Sequence, residues 1–197
     1  MKIKAELPRN FLNKEVSAII EAYFEINHLK QLYRQGWLQR GVPPHLCESV
    51  AEHSFCVTLL SLFLADAYFP ELDKSKVICM SLLHDIGEIY AGDFTPLDNI
   101  KAQVKQNLER KSVQQVLSKL PNSSKYLTLW EECEAGTSPE ARFVRQIDRL
   151  EMSLQASVYD HQGLLEPTPF FASTEKVVSE TNLLKILTEL KSLKSGT

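Results

Sequence analysis

Apolar residues recur along this chain at three- and four-residue intervals, and the alternation that marks strands is nearly absent. Residues 11–33 read as a first helix, with Val16, Ile19, Ile20, Tyr23, Phe24 and Ile26 as its apolar stripe and Gly36 as its stop. Residues 34–48 are irregular, interrupted by Gly36, Gly41 and Pro43-Pro44. Over 49–68, Val50, His53, Val57, Leu60 and Leu64 keep a helical spacing, which puts His53 on the buried stripe. Pro70 closes that helix. Asp73 or Ser75 can cap the next, which reaches about residue 89. Residues 90–99, with Gly92 and Pro96, form a loop. A polar helix over 101–120 lies mostly on the surface, and another over 124–135 ends at Gly136. Ser138-Pro139-Glu140 opens a helix to about residue 159, with Ser at the cap and Pro in the first turn. A linker at 163–169 leads to C-terminal helices within 170–193, the last over 183–193. The pattern predicts an all-α fold: one globular domain over 1–197, a bundle of six or seven helices.

Composition agrees with a single soluble domain. The chain has 197 residues, 44% of them hydrophobic and 24% charged, enough for a sizeable core. Net charge is -3 with both signs interspersed, which gives no support to binding a nucleic acid polymer. Cys47, Cys56, Cys79 and Cys133 form no CxxC pair, and Cys56 and Cys79 read as small buried hydrophobes. Unclustered thiols suit a reducing compartment. Residues 1–6 carry no apolar run, so no signal peptide is expected. The longest greasy stretch, 55–67, is too short to span a bilayer. These features predict a cytoplasmic protein that does not associate with membranes.

Chemistry concentrates at His84-Asp85, which ends the apolar run 77–83. A carboxylate there is costly unless something pairs with it. His53 and Asp148 also fall on apolar helical faces. Taken singly, each is a core histidine, a cap or half of an ion pair. Taken together, they are four buried polar groups on three helices, and each unsatisfied one costs about 1–3 kcal/mol. One divalent cation satisfies all four. Two imidazoles and two carboxylates suit a six-coordinate ion with two open positions. Cobalt, manganese, magnesium or iron therefore fit better than a structural zinc with four closed protein ligands, while zinc with open positions stays among the candidates.

The surrounding strings sharpen this picture. Glu48-Ser49-Val50-Ala51-Glu52-His53-Ser54 and the string from Leu83-His84-Asp85 through Glu88 and Asp93 to Thr95-Pro96 resemble the HD-domain metal phosphohydrolase superfamily. The second string resembles the branch of HD-domain 5'-deoxynucleotidases. Arg34-Gln35-Gly36-Trp37, Trp130-Glu131-Glu132 and the run from Ala141 to Asp148 are similar to that branch as well. The resemblance covers the core motifs over 29–159. It implies an all-helical homodimer that binds one divalent ion and removes phosphate from deoxyribonucleoside 5'-monophosphates.

The resemblance also implies roles. His53, His84, Asp85 and Asp148 would be metal ligands. Glu88 stands four residues after His84 and three after Asp85, a spacing that shares one face of a helix. It would be the general base, or the acid toward the leaving 5'-oxygen. Asp93 would act on the phosphate or from behind the ligands; a turn-capping Asp is the competing reading. Arg34 would clamp phosphate through its planar fork. Trp37 would pack on sugar or base and crowd the 2' position, unless it fills a core gap. Thr95 would donate a hydrogen bond to substrate, unless it only forms the turn. Arg40 and Arg145 are weaker phosphate candidates. Two alternatives remain open: another HD phosphohydrolase acting on phosphodiesters or nucleoside polyphosphates, and a non-catalytic nucleotide-binding module.

Overall fold

The computed structural model describes residues 1–6 and 16–193. Among these residues α-helices dominate, and extended pairing is limited to isolated bridges. In order they are α1 (Ala18–Ile26), α2 (Gln35–Gln39), α3 (Val50–Tyr68), α4 (Lys74–Leu83), α5 (Glu88–Ala91), α6 (Ala102–Leu117), α7 (Ser123–Ala135), α8 (Pro139–His161), α9 (Thr168–Glu175) and α10 (Thr181–Ser192). Short α2, α5 and α9 occur where the sequence pattern is weakest. The seven longer helices overlap the predicted segments, but the helix predicted over 11–33 lies partly outside the described residues and within them ends at Ile26, and the one predicted to reach 89 ends at Leu83.

Local signals set the boundaries. Ser49 caps α3 in a reciprocal box: its hydroxyl accepts from the Glu52 backbone N–H, and the Glu52 carboxylate accepts from the Ser49 N–H at 2.6 Å. Asp73, rather than Ser75, caps α4 by accepting from the Lys76 N–H at 3.1 Å. The Ser138 hydroxyl accepts from the Ala141 N–H at 3.2 Å and starts α8. Gly136 takes the left-handed conformation that ends α7.

α3 is the central helix. It is long and apolar enough, by length and composition, to cross a membrane, being a 19-residue helix rather than the shorter 55–67 stretch. Here its inner face packs on α4 and α8, burying Val50, His53, Val57, Ser61, Leu64 and Ala65. Its outer face leaves Phe55, Leu59 and Phe63 exposed. Cys56 is exposed beside them and Cys79 is half-buried, so neither is the fully buried hydrophobe expected; all four cysteines are free thiols.

Two further expectations need correction. The α1 stripe points outward: Val16, Ile19, Ile20, Tyr23 and Ile26 are exposed, whereas Ala22 and Glu25 face inward. Lys119, just past the C-terminal end of α6, pairs with Glu25 at 2.5 Å and Glu21 at 2.6 Å, which selects that inward face. The helix expected to run to residue 89 breaks after Leu83. Residues 84–87 form a turn closed by hydrogen bonds from Ile86 N to Leu83 O and from Glu88 N to Asp85 O. The tighter i-to-i−3 pattern, not a continuous α-helix, carries Glu88 back beside Asp85.

Candidate metal centre

His53 enters from the first turns of α3 and is fully buried. Its Nδ1 lies 2.6 Å from Glu151 Oε2, and its Nε2 faces Asp148 Oδ1 at 3.2 Å and Asp85 Oδ2 at 3.6 Å. His84 stands at the end of α4. Its Nδ1 donates to the Ser81 carbonyl at 2.8 Å, which leaves Nε2 facing Asp85 Oδ2 at 3.2 Å. In both rings Nδ1 has an acceptor, so Nε2 is the nitrogen presented to the site. Donor atoms of His53, His84 and Asp148 all lie within 4.8 Å of one another.

This arrangement fits a divalent cation. Ligands about 2.1 Å from one ion are about 3 Å apart when adjacent and about 4 Å apart when opposed. The separations of 3.2, 3.6 and 3.2 Å around Asp148, His53, Asp85 and His84 fall in that range. His84 Nε2 and Asp85 Oδ2 are buried without a hydrogen-bond partner among the described residues. A cation is what such a pair of orphaned acceptors needs. Without one, protons fill the role. Burial opposes it, yet hydrogen bonds to Asp148 and Glu151 push His53 up to about 10. Burial likewise opposes the rise of His84, which the Asp85 charge enforces. Against the opposing effect of burial, His84 holds Asp85 and His53 holds Asp148 well below the usual carboxylate range.

Glu88 is buried, and its Oε2 has no hydrogen-bond partner among the described residues. Burial first, then the charges of Asp85 and Asp93, push its carboxyl well above the usual range. Arg34 precedes α2. Its Nη1 donates to Asp93 Oδ1 at 3.1 Å and lies 3.8 Å from Asp85 Oδ2. Asp93 also accepts from the Gln35 N–H at 2.5 Å, so one carboxylate ties the start of α2 to the loop after α5. Gly92, with φ of 88°, makes the turn that delivers Asp93. Thr95 caps the turn at Pro96–Asp98, and its hydroxyl lies 2.8 Å from Gln39 Oε1 and 2.9 Å from Asp98 Oδ2. Trp37 is 2% exposed. Its Nε1 donates to Glu48 at 2.7 Å, and its ring leans on Phe170 and Tyr159.

These groups border a cleft of about 510 Å³. Arg34, Trp37, Thr95, His84, Asp85, Glu88, Asp93 and Asp148 line it, as do Arg40 and Arg145. His53 is not among the lining residues and meets the site from beneath. Several residues of the site carry no motif in the sequence: Glu151, behind His53 and away from the cleft, and the wall residues Lys105 and Glu109 from α6 and Phe170 from α9. Only for Glu151 was there a local signal, since it follows Asp148 by three residues on one helix.

The profile of the HD-domain family matches residues 26–191. The chain belongs to the HD-domain family. The family implies a divalent metal, in keeping with the donor set above. The chain is 34% identical to the 5'-deoxynucleotidase HDDC2 of Mus musculus over 173 residues, 84% of this chain and 83% of that protein. A Pyrococcus horikoshii OT3 crystal structure superposes with a TM-score of 0.74 at 30% identity, covering 89% of this chain and 99% of that one. A structure titled as a predicted metal-dependent phosphohydrolase, from Magnetospirillum magnetotacticum MS-1, gives 0.71 at 28% identity, covering 89% and 92%.

The Glu151 contact has a measurable consequence. Replacing Glu151 with Leu removes the acceptor that keeps the proton on His53 Nδ1, and losses of this kind cost about 10–100-fold in metal affinity. Titration of manganese or cobalt into the variant and the parent chain measures it.

Proposed function

We propose that this HD-domain protein hydrolyses deoxyribonucleoside 5'-monophosphates to the deoxyribonucleoside and phosphate. The observation that carries the reading is the place of Arg34, whose guanidinium stands 3.8 Å from Asp85, one of the converging ligands. A phosphate bound there meets the Arg34 fork and the metal centre at once. The cleft volume falls in the small-molecule range. The HD-domain relative at 34% identity carries the 5'-deoxynucleotidase name over most of the chain.

His53, His84, Asp85 and Asp148 hold the cation, and the mixed nitrogen and oxygen set favours manganese, cobalt, magnesium or iron. Such an ion supplies an acidified water and charge neutralisation at phosphorus. Arg34, held in place by Asp93, orients the phosphate. Glu88 sits beside Asp85 with an oxygen that has no hydrogen-bond partner among the described residues, and it carries the proton between water and the leaving 5'-oxygen. Trp37 and Phe170 give the sugar an apolar wall, and Thr95 stands at the rim. Phosphate release from deoxy- and ribonucleoside monophosphates, with added cobalt or manganese, tests this. No release from any deoxynucleotide overturns it, and much faster cleavage of a cyclic dinucleotide or a triphosphate reassigns the substrate.

The protein works in the cytoplasm as a homodimer on this reading. Four free thiols fit the compartment. Phe55, Leu59 and Phe63 share the outer face of an otherwise apolar helix, which is the face a second copy would cover. Phe63→Asp is expected to convert the dimer to a monomer in light scattering coupled to gel filtration. A monomeric parent chain would remove the dimer from the proposal.

A further inference from the structure

The polar helix α6, expected on the surface, forms a wall of the cleft. It approaches the turn after His84-Asp85 as closely as backbone allows. A Cβ placed on Gly87 would stand 2.9 Å from Glu109 Cβ and 3.2 Å from Glu109 Cα. That contact fixes α6 against the turn and brings Lys105, one helical turn before Glu109 on the same face, to the cleft that Asp85 and Glu88 line. Lys105 Nζ pairs with Glu109 Oε1 at 3.4 Å, with the lysine side chain 39% exposed. Such a long, partly solvated pair is weak and exchanges partners readily.

Two other cationic side chains of the cleft are firmly held: Arg34 is tied to Asp93 at 3.1 Å, and Arg145 donates to the Glu134 carbonyl at 3.2 Å. Arg149 is paired as loosely as Lys105, at 3.7 Å, but its partner Asp148 is one of the candidate ligands. Arg40 lies over the Phe170 ring at 5.8 Å. Lys105 combines a long flexible stem with one loose ion-pair partner among the described residues, Glu109. We propose that Lys105 is a second phosphate-binding residue, delivered by α6, which leaves Glu109 to meet the incoming phosphoryl group while Arg34 stays fixed. An ammonium on a four-carbon stem can follow the phosphoryl group, whereas the anchored guanidinium of Arg34 defines its orientation. Burial works against the charged form of Lys105, but Glu109, Glu88 and Asp85 together outweigh it, so the side chain remains an ammonium. The inference rests on the phosphomonoester reading above.

Inorganic phosphate is the probe. It is titrated calorimetrically into the manganese-loaded full chain, the Lys105→Met variant and the Lys105→Arg variant. Lys105→Met is expected to weaken phosphate at least tenfold with manganese affinity within twofold of the parent, and Lys105→Arg to restore most of the loss. Glu109→Gln keeps the packing against Gly87 and frees Lys105, so phosphate should bind several-fold tighter. Phosphate affinity within twofold of the parent in Lys105→Met, or weaker binding in Glu109→Gln, overturns the proposal. Failure of the parent chain itself to bind phosphate, with manganese bound, sinks the phosphomonoester reading and this inference with it.

Discussion

Glu88→Gln is expected to lower kcat on deoxynucleoside monophosphates by about a hundred- to ten-thousand-fold while metal content stays at the parent level. The substitution is nearly isosteric, so the tight surroundings of a side chain only 4% exposed are preserved. What disappears is the ability to take up and release a proton at an oxygen that no donor among the described residues occupies. The candidate ligands are untouched, because Glu88 is not one of the donor groups that converge at His53, His84 and Asp148. Steady-state kinetics with elemental analysis of the same preparation checks both halves. Equal loss of metal would place Glu88 among the ligands, and unchanged turnover would remove it from the chemistry.

Asp148→Ala is expected to abolish metal binding at micromolar concentrations and to remove the stability that metal confers. A ligand that binds only the folded chain at a hundred times its Kd adds about 2.7 kcal/mol. For a domain of this size that corresponds to roughly 5–10 °C in Tm. The parent chain should lose this increment on chelation, whereas the variant has none to lose. A parent Tm indifferent to chelator would mean that no buried cation is held here.

The same site fixes a pH dependence. His53, raised from 6.5 to about 10 by its carboxylate neighbours, is protonated near neutrality in the metal-free chain. Its stabilising contribution there is complete below pH 6.5 and is lost as pH rises through about 10. Coordination needs the neutral ring, so binding expels the proton. Metal affinity should therefore climb with pH across that window, about tenfold per unit for each proton displaced. Calorimetry at several pH values measures the slope, and a flat profile contradicts the geometry around His53.

Much of the scaffold was legible because its signals are local. Asp73, and Ser138 with Pro139, announce α4 and α8, and helical spacing over 49–68 announces α3; these are the helices that carry the candidate ligands. Helical spacing alone put His53 inside. What escaped depends on distant parts of the chain. The outward turn of the α1 stripe is decided by Glu21 and Glu25 meeting Lys119, far along the sequence. The break after Leu83 follows an apolar run that looks continuous in sequence. Trp37 gives its indole N–H to Glu48 and its faces to Tyr159 and Phe170, pairings that no local pattern encodes. Lys105 reads as one lysine among many on a polar helix until Gly87 admits that helix to the cleft.

His53 and Asp148 are 95 positions apart in the chain yet face each other at 3.2 Å. An ion held between them would act as a removable cross-link over a very long loop, which the denatured chain cannot form without a large entropic penalty. Such a clasp would close only once α3, α4 and α8 have docked. Occupancy should therefore act mainly by slowing the escape from the native state, leaving the rate of reaching it nearly unchanged.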